Sequence, residues 1–127
     1  MKPDPAAWFE KAEHDLLAIK NNLAATSVPW DVVVFHTQQA TEKYLKGFLV
    51  QHQILPPKIH DLSRLLALCL IHDRTLESLR DDCVRILEAS GRSRYPGDPD
   101  PTEAEADVAI EGARRVRDAI RQRVPVQ

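Results

Sequence analysis

The chain has 127 residues, a formal net charge of −2, 43% apolar residues and only four glycines. That length holds one domain with a real core, so residues 1–127 are read as a single unit. The balanced charge removes nucleic-acid binding as the default reading, the composition favours helix over sheet, and no apolar run approaches the roughly 20 residues that span a bilayer.

Asp4 followed by Pro5 opens a helix, because the carboxylate can accept from early amides and proline's missing N–H costs nothing there. Trp8, Ala12, Leu16, Ile19 and Leu23 recur at steps of three or four among charged residues, which predicts an amphipathic helix ending near Ala25. A second helix is expected from about Pro29 to Gln53. Its Val32–Phe35 start resembles a strand, but Ala40, Tyr44, Leu45, Phe48 and Leu49 keep helical spacing.

Pro56 and Pro57 stop that helix. Asp61 can cap a short third helix carrying Leu62, Leu65, Leu66 and Leu68; the pattern breaks at His72 and Asp73, then restarts as a fourth helix with Leu76, Leu79, Cys83, Ile86 and Leu87. Ser90 to Pro101 holds three prolines and two glycines and reads as a loop. Thr102 with Glu105 is a capping-box pair for a fifth helix to about Arg123, with small apolar positions that permit close packing. The fold expected is all-α, an antiparallel up-and-down bundle of four to five helices.

Charge is uneven along that last helix. Asp98, Asp100, Glu103, Glu105 and Asp107 gather before or at its start, and Arg114, Arg115, Arg117, Arg121 and Arg123 crowd its end. The helix dipole favours this arrangement. Cys69 and Cys83 stand among apolar residues without a CxxC spacing, so buried thiols in a reducing compartment are expected. Met1–Pro5 has no apolar run behind it, so neither signal peptide nor anchor is expected and a cytoplasmic location follows by elimination.

On the second helix His36, Gln39, Lys43 and Lys46 are three or four residues apart and share a stripe. Two readings stand. The stripe is a solvated face, with Glu42 and Lys46 as an i, i+4 pair; or it lines a groove where Lys43 and Lys46 meet phosphate while His36 and Gln39 hydrogen-bond. His60 and Asp61 are adjacent, and no HxxxH or HExxH pattern supplies metal partners, so Asp61 reads as a helix cap and His60 as packed against or bonded to the preceding loop. Arg92, Arg94 and Tyr95 precede Pro96: two guanidinium groups beside an aromatic could hold a phosphate and stack a base, or Arg94 pairs with Glu42 or Asp15 while Tyr95 closes one end of the core. No metal or cofactor is expected. No glycine-rich phosphate loop, G-x-S-x-G element or nucleotidyltransferase carboxylate cluster occurs either, so any nucleotide must be met by helices and the RYP loop.

HTQQATEKYLKGFLVQ (36–51), KIHDLSRLL (58–66) and SRYPGDPD (93–100), preceded by a DL element at Asp15 and Leu16, resemble the HEPN family, which takes its name from nucleotide binding in higher eukaryotes and prokaryotes. The strings fall in the family's order over nearly the whole chain. The resemblance implies a bundle of four or five helices, a homodimer, and pairing with a separately encoded minimal nucleotidyltransferase in toxin–antitoxin-like systems. Many members are metal-independent ribonucleases carrying an Arg followed after four to six residues by a His. None of His14, His36, His52, His60 and His72 has such an arginine; the nearest, Arg64 before His72, leaves seven residues between.

The expectation is therefore a non-catalytic subunit that dimerises, partners a minimal nucleotidyltransferase, and meets nucleotide or RNA through His36, Gln39, Lys43, Lys46, His60, Arg94 and Tyr95. The alternatives are a divergent metal-independent ribonuclease, with His60 or His36 as acid or base and Arg94 on the phosphorane, and a purely structural interaction module.

Overall fold

Residues 4–91 and 95–125 are described by the structure, a computed structural model. They form α1 (Pro5–Leu23), α2 (Trp30–Gln51), α3 (Leu62–His72), α4 (Arg80–Gly91) and α5 (Glu103–Arg123), with a 3-10 turn at Arg74–Leu79. No strand occurs among the described residues, and the all-α bundle is the one expected.

Local chemistry sets the ends. Asp4 accepts from the Ala6 N–H at 2.8 Å ahead of Pro5, and α1 stops at Leu23, two residues short of Ala25. α2 closes at Gln51 rather than Gln53 because Gln53 adopts a left-handed φ of 62°. The Ile54 N–H then donates back to the Leu49 carbonyl at 2.9 Å, and the Gln53 N–H to that of Val50 at 2.9 Å, the paired bonds of a Schellman cap. Thr102 and Glu105 form the expected capping box on α5, at 3.1 and 3.0 Å.

One element departs from the sequence reading. The expected start of the fourth helix around Leu76 is a 3-10 turn instead, and α4 begins only at Arg80. Asp73 causes this: its carboxylate accepts from the Thr75 backbone N–H at 2.9 Å and from the Thr75 hydroxyl, and Arg123 of α5 grips its other oxygen at 2.8 Å. The chain is pinned into a tight turn, while Leu76 and Leu79 still reach the core. α4 also runs one residue past Ser90, so the loop starts later than expected.

α2 is the centre of the bundle and packs against α1, α3, α4 and α5. Its contact with α1 is close at Gly47, where a Cβ would stand 2.4 Å from the Phe9 ring; glycine is there to let the two helices approach. The main core gathers Tyr44, Leu45, Phe48 and Leu49 of α2 with Leu62, Leu65 and Leu66 of α3, Ile86 of α4, and Val116 and Ile120 of α5. A second cluster, Ile19, Val33, Val34, Ala89, Ala106 and Ile110, occupies the other end and consumes the valine run that resembled a strand.

α1 and α5 run antiparallel on the same side of α2 with their backbones held apart. No Cα of one comes within 8 Å of the other, and a Glu13–Arg121 ion pair at 3.1 Å crosses the space between them.

Candidate functional site

The residues of the family strings meet in two polar nodes, each built around a buried carboxylate. Asp15, 7% exposed, projects from α1 toward α2, where it accepts from His36 Nδ1 at 2.8 Å and from Lys43 Nζ at 2.5 Å. His36 and Lys43 are seven residues apart, two turns of helix, so both lie on the stripe facing α1. One carboxylate takes both donors.

Glu42, 5% exposed, anchors the second node on an adjoining side of α2. It accepts from Lys46 Nζ one turn on at 3.1 Å, and from His60 Nδ1 in the segment ahead of α3 at 2.8 Å. Lys46 is itself buried and its Nζ lies 5.8 Å from the centre of the Trp8 ring, a cation–π contact. Gln38 fixes the approach of His60 by donating from Nε2 to its backbone carbonyl at 3.0 Å. Asp61 caps α3 as expected, accepting from the Ser63 and Arg64 amides.

The geometry decides between the two readings of the stripe in part. At Lys46 the helix is not a solvated face, since both Lys46 and Glu42 are buried. The i, i+4 pair exists, as a buried ion pair, which costs several kcal/mol to break from one side. Lys43 and His36 are each half-buried, and the positive charge of Lys43 is directed at Asp15. Gln39 sits on the helix between the nodes, three residues after His36 and three before Glu42, half-buried and without a side-chain hydrogen bond among the described residues.

Both histidines present the same edge. Against an ionised carboxylate Nδ1 is the donor, so a neutral ring carries its proton there and leaves Nε2 as a lone-pair acceptor. For His60, whose side chain is 76% exposed, that nitrogen is open to an incoming molecule. The same imidazole–carboxylate pairing orients general bases in hydrolytic enzymes.

Of the RYP element the structure describes Tyr95 and Pro96. Arg94 and Arg92 lie outside the described residues. Tyr95 is 67% exposed and turns back on itself, its N–H donating to the Asp98 carboxylate at 3.1 Å, so it does not close the core. The carboxylates expected as partners of Arg94, Asp15 and Glu42, are already engaged by a lysine and a histidine each. No group of three or more metal-ligating side chains occurs among the described residues.

Sequence reasoning paired Glu42 with Lys46 and missed both carboxylates as anchors of the histidines. For Asp15 the signal was present: it follows Ala12 by three and precedes Ile19 by four, on the apolar stripe, where an unpaired carboxylate would be too costly to bury. For Glu42 there was none, because nearly all of Ala40–Val50 is buried on every side and periodicity is lost.

Comparison with known proteins places this geometry in context. A family model described as the HEPN domain matches residues 6–123. Among solved structures, the crystal structure of an archaeal HEPN homologue superimposes with a TM-score of 0.76 at 21% identity, covering 98% of this chain and 100% of that one, which is a likeness of fold. A search of curated proteins finds no match. With the family match running from the first turn of α1 to the last residue of α5, the chain belongs to the HEPN domain family.

Proposed function

We propose that this chain is a non-catalytic HEPN subunit of the cytoplasm that dimerises, receives a nucleotide or RNA phosphodiester at the His36–Gln39–His60 surface of α2, and works beside a separate minimal nucleotidyltransferase in a toxin–antitoxin-like pair. The observation that carries it is the use to which the family residues are put. Lys43 and Lys46, the cations that would otherwise neutralise a transition state, spend their charge on Asp15 and Glu42 inside the bundle. What remains for a ligand is a set of hydrogen-bonding groups, the exposed His60 ring and the half-buried His36 ring and Gln39 amide. The missing Arg–His pair supports the same reading.

Thermal-shift titration with ATP, other nucleotides and short RNA tests the binding part. A native-state ligand raises Tm with concentration, and at about a hundred times its Kd contributes about 2.7 kcal/mol. His60→Ala should remove the shift. If no nucleotide or RNA moves Tm, the ligand reading is wrong and a purely structural interaction module takes its place. The partner is tested by co-expression with the neighbouring gene product: a stable complex with a protein bearing nucleotidyltransferase carboxylates supports it, and an unpaired gene counts against it.

The carboxylate-anchored imidazoles favour a second reading, a divergent metal-independent ribonuclease in which His60 or His36 moves the proton and Arg94 steadies the phosphorane. Purified protein would then cut RNA in chelator, and His60→Ala, His36→Ala or Arg94→Ala would stop it. RNA left intact across a wide pH range removes this reading.

A further inference from the structure

The seam between α1 and α5 is open along its length. Toward the end of α1 it holds a recess of about 260 Å³ floored by Leu16, Ile19, Leu23 and Ile110 and rimmed by Lys20, Arg114 and Arg117. Toward the start of α1 it holds a second of about 380 Å³, beside Phe9 and Val124, where the α1 side contributes Asp4, Glu10 and Glu13. Leu17 stands 53% exposed on the adjacent ridge of α1, one helical step from both Glu13 and Lys20. An apolar trough, an apolar knob beside it, and opposite charges at its two ends lie on one face.

Those charges are available. Neither Glu10 nor Lys20 has an ion-pair partner among the described residues. Among the described residues Arg114 and Arg117 pair only with Glu111 and Asp118 of their own helix, both exposed, and such surface pairs hold little energy.

We propose that this face binds a second copy of the chain, with the two α1 helices antiparallel and the Leu17 of each seated in the seam of the other. The charge pattern selects the copy and its direction. In a two-fold contact the axis lies in the plane of the interface. An axis along α1 sets Lys20 against Lys20 and Glu10 against Glu10. An axis across α1 sets the acidic end of each copy against the basic end of the other, twice. Glu10 and Lys20 are about 15 Å apart along the helix, far enough for the ends to act separately. The proposal rests on the dimer named above and says where that dimer forms.

Sedimentation over a concentration series, with circular dichroism to verify folding, tests it. Wild type should dimerise, and Leu17→Asp should be monomeric at the same concentrations. Glu10→Lys alone and Lys20→Glu with Arg114→Glu should each weaken self-association by about tenfold or more, from like charges brought together at both ends. Mixed together, those two charge variants should recover the dimer. A wild type that stays monomeric overturns the dimer itself. A dimer untouched by Leu17→Asp and by both charge variants leaves the dimer standing and overturns this surface. Charge variants that weaken self-association but fail to rescue each other overturn the antiparallel pairing.

Discussion

Asp15 shows how one residue can be costly and still indispensable. Its carboxylate is buried, and only the joint donation of His36 Nδ1 and Lys43 Nζ repays the loss of water. Asp15→Ala leaves Lys43 and His36 without their shared acceptor, and the expected loss is about 3 kcal/mol, read as a lowered urea midpoint at unchanged slope. A loss near that of an exposed pair, below about 1 kcal/mol, would show that Lys43 escapes to solvent. Two other side chains make a different kind of statement. Burial pushes the Cys69 and Cys83 thiols up to about 12, with the proximity of Cys83 adding to the rise at Cys69 and that of Asp82 to the rise at Cys83. Near neutral pH neither should react with a disulfide reagent until the bundle opens, and both should then react fully; rapid labelling of native protein would contradict their placement in the core. That these thiols are buried was readable from their apolar neighbours. The pairing of Glu42 with His60 was not, because His60 is eighteen residues away and reaches it only through the path of the 52–61 connection.

Between elements, the ends of α2 and α3 are joined by an aromatic stack. His52, just past α2, lies 4.7 Å from His72 in the last turn of α3, with Phe48 4.6 Å from His52 on its own helix. Burial first, and then the nearness of His72, hold His52 below its ordinary value of 6.5, while Asp73 pulls the other way. A ring harder to protonate when folded than when unfolded takes up its proton more readily in the unfolded chain. Its contribution is therefore complete above pH 6.5 and lost as the pH falls through the folded value. His52→Gln should flatten the fall in urea midpoint below pH 6.5; parallel wild-type and variant profiles would rule this out. The helices themselves were legible in the sequence to within about two residues, since apolar spacing and caps such as Asp4, Asp61 and Thr102 act locally. The 3-10 turn was not, because it depends on Arg123 arriving from α5, fifty residues on.

At the scale of the whole molecule, the bundle is built outward from α2, which serves both as the wall of two apolar clusters and as the mount for both polar nodes. A dimer formed through the α1–α5 seam would brace α1, the helix whose backbone approaches that of α2 alone. Thermal stability should then rise with protein concentration, and a Tm that stays constant over a hundredfold dilution would argue for a monomer. The all-α class and the helix order were visible in composition and periodicity; the seam was not, because periodicity marks which face of a helix is apolar and not which neighbour covers it. The same layout has an optical consequence. The chain's two tryptophans fall in separate regions: Trp30 lies against the smaller cluster, and Trp8 lies over Lys46 with its indole Nε1 shielded and without a hydrogen-bond partner. Emission from Trp8 is thus tuned by the charge on the lysine beneath it, and emission from Trp30 by the opposite end of the bundle. Replacing either with phenylalanine leaves a single fluorophore, and the pair of variants turns the molecule into its own two-channel recorder of which end loosens first.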